Sequence, residues 1–195
     1  MLQQLPSNIT HKAVVFFIVE SAHRCGMFPI TMRQLHPVMY FANTMSPIFN
    51  FDAIYKETYD PSTLQCFPAI ATHIAALINE GVIEETSFGS VKSGYGVTKQ
   101  GFSFVEREYD THEHTLIRNY LREVIFSLTN HDDLLDIMYE RDPHRVLDDL
   151  SFIDGHHNSG NVSVEIAHKC YPKNRVKTTR ESVHRYTEYV KRLTV

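Results

Sequence analysis

Residues 68–105 constrain the fold more than any other part of this chain. "PAIATHIAALINEG" is a helix by its pattern: Ile70, Ile74, Leu77 and Ile78 fall at i, i+4, i+7 and i+8, one apolar stripe. Pro68 suits the first helical position and Gly81 ends the helix. "VIEETSF" then reads as a strand, "GSVKSG" as a turn and "YGV" as the returning strand. Thr98 follows at once, placed to cap a helix beginning near Lys99, with Gly101 allowing close backbone approach and Phe104 and Val105 facing inward. Helix, strand, turn, strand, helix is the order of the second half of a winged helix-turn-helix domain. The hairpin would be the wing and the Ile70–Ile78 helix the recognition element.

The flanking sequence is mostly helical. Thr10 can cap "HKAVVFFIVESAHRC", which is apolar nearly all round and is therefore expected to be buried, and Gly26 stops it. Leu35, Val38, Met39 and Ala42 mark a second helix that Pro47 ends; Pro37 either kinks it or lies in its first turn. Residues 49–67 form a connector without a convincing period. Beyond residue 110, Leu116, Tyr120, Leu121, Val124 and Leu128 make a further stripe. Shorter helices follow, then a loop at 155–161 and a terminal helix. The expectation is a mainly α chain: a winged-helix domain over 1–110 and a helical extension over 111–195 for partner contacts.

Composition narrows the function. Only 22% of residues are charged and the net charge is −4, a globular surface that does not suit a protein coating nucleic acid. Three well-separated cysteines, Cys25, Cys66 and Cys170, with no CxxC, read as a reduced cytoplasmic protein. The longest apolar run, Ala13 to Val19, is too short to span a bilayer, and no secretion or lipidation signal is visible.

The motifs of chemistry are missing. Twelve histidines invite a metal, through His112-Glu113-His114, His131-Asp132-Asp133, His156-His157 or His168 with Cys170. None has zinc-motif spacing, and residues at i,i+2 on a helix point apart, so no metal or cofactor is expected. No GxSxG or phosphate-binding GxxxxGK[ST] occurs, and the neighbours Asp148 and Asp149 diverge on a helix. We expect a protein that is not an enzyme.

Basic residues leave two candidate contact regions for nucleic acid or an acidic partner. Lys92, at the wing, and Lys99, beside it, are placed to touch phosphates. Arg175, Lys177 and Arg180 belong to the stretch 173–192, where seven Lys or Arg face two Glu; this net +5 leaves −9 on the rest of the chain. The recognition helix itself carries no Lys or Arg, unlike a helix that reads base edges, and looks built for packing against protein.

Residues 34–84 resemble a known family. Leu35-His36, the run Tyr40-Phe41-Ala42-Asn43, Ser46-Pro47-Ile48 and a helix closing in L-I-x-x-G-V-I are similar to the middle component of ABC-three-component, or Lamassu-type, bacterial defence systems. The likeness covers about a quarter of the chain, and "YDPSTLQCFP" stands where that family has a Gly-Pro-aromatic pattern. The resemblance implies a non-catalytic subunit that bridges an SMC-like coiled-coil ATPase and an effector nuclease in anti-phage or anti-plasmid defence. DNA would be met through the complex, and no membrane is involved. The competing expectation is a homodimeric winged-helix transcriptional regulator, whose duplex binding would fall steeply with salt.

Overall fold

The computed structural model describes residues 9–46, 54–55, 67–89 and 91–129. They build five helices and one two-stranded antiparallel hairpin, a mainly helical arrangement. No helix among the described residues is long and apolar enough to cross a membrane.

Helix α1 (His11–Cys25) is the hub. Thr10 Oγ1 accepts from the Ala13 N–H at 3.2 Å, and Gly26, at φ 87°, takes the left-handed position that ends the helix. Every residue from Ala13 to Ala22 is buried, so the nearly all-round apolar sequence does produce an enclosed helix. Each of Phe16, Phe17 and Ile18 withdraws a whole side chain from water, worth about 1.5–3 kcal/mol apiece.

Helix α2 (Met32–Met45) opens with a reciprocal cap. Thr31 Oγ1 accepts from the Gln34 N–H at 3.2 Å, and Gln34 Oε1 accepts from the Thr31 N–H at 2.9 Å. This T-x-x-Q signature was available in the sequence and supplies the start that the apolar spacing alone left undefined. Pro37 lies inside α2, beyond its first turn. Near the end of α2, Asn43 Nδ2 donates to the Tyr55 carbonyl and Asn43 Oδ1 accepts from the Tyr55 N–H, both at 2.8 Å. One side chain thereby satisfies the backbone of a connector residue that is itself buried.

Helix α3 (Ala69–Asn79) begins one residue after Pro68. Strands β1 (Ile83–Phe88) and β2 (Val91–Val97) pair antiparallel, Ile83 opposite Val97 and Glu85 opposite Tyr95, with an irregularity between Thr86 and Phe88. The returning strand is thus longer than "YGV", and the turn contracts to the neighbourhood of Gly89. On its other side β2 meets Ile30: the Ile30 N–H donates to Tyr95 O at 3.1 Å and the Tyr95 N–H to Ile30 O at 2.8 Å. The segment between α1 and α2 therefore joins the hairpin by a single bridge at Ile30.

Helix α4 (Lys99–Glu108) starts where expected, Thr98 Oγ1 accepting from the Gly101 N–H at 2.9 Å. A side chain on Gly101 would press on the carbonyl oxygen of Val82, so glycine is what lets α4 start against the base of the hairpin. Helix α5 (His112–Leu128) packs on α1 and α2. Its buried residues include Ile117, Tyr120, Leu121, Val124, Ile125 and Leu128, and the Tyr120 hydroxyl donates to the Ala42 carbonyl at 2.6 Å. Leu116, expected on the buried stripe, is partly exposed; Ile117 takes the inward place instead.

Candidate docking surface

Helix α3 presents two unlike faces. Ile70, Ile74 and Leu77 are buried, whereas Ile78, grouped with them by spacing, is 37% exposed. Helix α3 packs on α1 and β1, and Ile78 lies one position beyond the buried Leu77. The outer face carries Ala71, Thr72, Ala75, Ile78 and Asn79, all exposed. It is low in profile and uncharged. Small side chains on a helix allow another element to approach its backbone closely.

The hairpin beside it is acidic. Glu84 and Glu85 are exposed on β1, and Ser93 Oγ donates to Glu85 Oε1 at 2.5 Å. Glu80, at the end of α3, pairs with Lys12 at 2.5 Å. By sequence, residues 68–97 hold three acids, Glu80, Glu84 and Glu85, and one base, Lys92, a net −2. Phe88 near the hairpin tip is 66% exposed.

Of the basic residues singled out from the sequence, Lys92 falls in β2 and Lys99 is the exposed first residue of α4. Arg175, Lys177 and Arg180 lie outside the described residues, as do the His131, His156-His157 and His168/Cys170 groups and Cys66. His112 and His114 share the first turn of α5 but diverge, His112 exposed and His114 buried. Among the described residues, no three His, Cys, Asp or Glu side chains converge.

The most concentrated electrostatic feature was not anticipated from sequence. Glu20, inside the apolar run of α1, is fully buried and is met by three arginines. Arg118 Nη2 donates to Glu20 Oε1 at 2.9 Å, Arg122 Nη2 to the same oxygen at 3.1 Å, and Arg24 Nε to it as well. Burial pushes the Glu20 carboxyl up, but the three guanidiniums outweigh it and hold the group below its ordinary range. The available signal was a pair of i,i+4 spacings: Glu20 with Arg24, and Arg118 with Arg122.

Two histidines are kept neutral. His23 Nδ1 accepts from the Val97 N–H at 3.2 Å, which places its proton on Nε2, and its ring lies between Phe28 and Phe102 at 4.1 and 5.1 Å between centroids. Burial lowers its pKa, and the neighbouring Arg24 adds to the effect. His114 sits against Tyr109 and Phe17, with Nδ1 2.9 Å from Thr111 Oγ1, and burial lowers its pKa too.

No family model matches the chain, and no curated protein or solved structure was found to match it.

Proposed function

We propose that the chain is a winged-helix docking subunit that binds protein through α3 and the adjoining hairpin. Support for the winged helix comes from the order of elements: α1, the Ile30 bridge, α2, α3, then β1 and β2, with β2 held between β1 and Ile30. A winged helix has three helices and a small sheet in this order, with the third helix offered to a partner; here two strands and the Ile30 bridge stand for the sheet. The observation that carries the docking role is the outer face of α3, exposed and without a single cation, beside a strand β1 that exposes Glu84 and Glu85. A base-reading helix brings Arg, Lys, Asn or Gln to the groove and relies on cations for phosphate.

The resemblance of residues 34–84 names the assembly: a non-catalytic subunit joining an SMC-like coiled-coil ATPase to an effector nuclease in anti-phage or anti-plasmid defence. Two of the matching residues have structural work of their own. Asn43 ties α2 to Tyr55, and Leu35 is buried in the core. Co-expression of the tagged chain with its neighbouring genes tests this reading. Co-purification of a coiled-coil ATPase and an effector is the expected result. A chain that purifies alone and binds a defined duplex with steep salt dependence would make it a transcriptional regulator instead.

A further inference from the structure

The cluster around Glu20 has more positive charge than its structural role requires. Three guanidiniums surround one carboxylate, and all three direct a donor at the same oxygen, Oε1. Among the described residues the second oxygen, Oε2, receives only a long contact of 3.5 Å from Arg122 Nη2. A second acid, Glu106, has its Oε1 4.0 Å from Arg24 Nη2 and a side chain 73% exposed. Arg122 Nη1 reaches Asn119 Oδ1 at 3.4 Å. The Nε groups of Arg118 and Arg122 are buried without an acceptor among the described residues. Among the described residues the cluster is thus rich in donors, poor in acceptors and, counting Arg24, Arg118 and Arg122 against Glu20 and Glu106, +1 in charge.

Accessibility divides the three arginines. Arg118 is 11% exposed and serves the α1–α5 contact, while Arg24 and Arg122 are 39% and 31% exposed. These two stand on different helices and bind the same carboxylate oxygen, so their guanidiniums are neighbours. The Arg24 guanidinium also lies over the Phe102 ring, 5.0 Å from its centroid, which gives the surface an apolar floor.

We propose that Arg24 and Arg122 receive a carboxylate from an acidic segment of a partner protein. Paired guanidiniums present parallel N–H donors that match an oxyanion, and Arg clusters are a recurrent means of recognising acidic motifs. The Phe102 ring under Arg24 holds that guanidinium in place beside Arg122. This surface belongs to α1, α4 and α5 and stands independently of the docking role of α3.

The test is fluorescence anisotropy with a labelled hexaglutamate peptide and the full chain at low ionic strength. Binding is expected, weakened about tenfold in Arg24→Gln and in Arg122→Gln and changed less than about twofold in Lys99→Gln, as a short-range paired contact requires. No binding, or equal weakening in Lys99→Gln, would overturn the proposal. Inorganic phosphate that binds with the same arginine dependence while the peptide does not would also overturn it, leaving a small-oxyanion site. A measurement on the unaltered chain removes dependence on the variants' folding. Hexaglutamate should raise its melting temperature and hexaglutamine should not, and equal responses to the two peptides would count against the proposal.

Discussion

Glu20 in α1 and Arg118 in α5 form an ion pair of 2.9 Å across 98 positions of sequence, with the carboxylate entirely out of water. It fastens α5 to the central helix α1, within the one core the two helices share. A buried pair contributes little compared with a well-packed apolar substitute, but losing one partner leaves the other charge stranded. Glu20→Gln strands Arg118 and sets three guanidiniums against one another. We expect a loss of about 3–5 kcal/mol in urea denaturation. A loss under about 1 kcal/mol, the scale of an exposed pair, would show that the cluster is solvated.

Stability should fall with acid in two separate windows. His23 and His114 have folded pKa values below 6.5, each lowered first by burial. The unfolded chain then binds more protons than the folded one, so their contribution is complete above pH 6.5 and is lost as pH falls below it. Glu20 has a folded pKa below 4.5, so its contribution is present above that value and is lost as pH falls through the lower, folded one. Denaturation midpoints measured from pH 7.5 to 5 should decline, and His114→Phe should flatten the decline. An unchanged slope in that variant would remove His114 from the account.

The junction of hairpin and α4 rests on Gly101. A methyl group there meets the Val82 carbonyl oxygen and the Val97 side chain, and the backbone oxygen has no freedom to turn away. Gly101→Ala should cost about 1–3 kcal/mol despite the better helix propensity of alanine. A thermal melt that moves upward would contradict the close approach.

Asn43 holds Tyr55 by two hydrogen bonds of 2.8 Å. Asn43→Ala leaves the Tyr55 N–H and carbonyl without those partners, at about 1–3 kcal/mol. Calorimetry should show the shift, and Asn43→Asp, which keeps the acceptor and loses the donor, should recover part of it.

Much of this fold was legible in the sequence, for physical reasons that also explain the misses. The caps at Thr10 and Thr98 and the stop at Gly26 depend on local chemistry, and each stands where its residue type predicts. The hairpin followed from alternation between turn residues, though β2 runs further than "YGV" because Gly94 and Val91 also pair with β1, opposite Thr86 and Phe88; Ile30 adds a bridge on the other side at Tyr95. That second pairing is non-local and left no local trace. Ile78 and Leu116 were assigned inward because periodicity gives a stripe's direction but not its width; both lie at the stripe's edge. The Glu20 cluster was missed because α1 and α5 read separately: two ordinary i,i+4 spacings become one site only when the helices meet.

The claim that α3 docks protein is tested most directly by changing its outer face alone. Ala75 is exposed at the middle of that face, so Ala75→Arg adds bulk and charge without touching the core. The tagged full chain and this variant are expressed with the neighbouring genes, and the intact assemblies are weighed by native mass spectrometry. The account predicts a complex containing a coiled-coil ATPase and an effector for the unaltered chain, and its loss in Ala75→Arg at an unchanged melting temperature. An unaltered chain that runs as a monomer or homodimer, or a variant that keeps every partner, would contradict it.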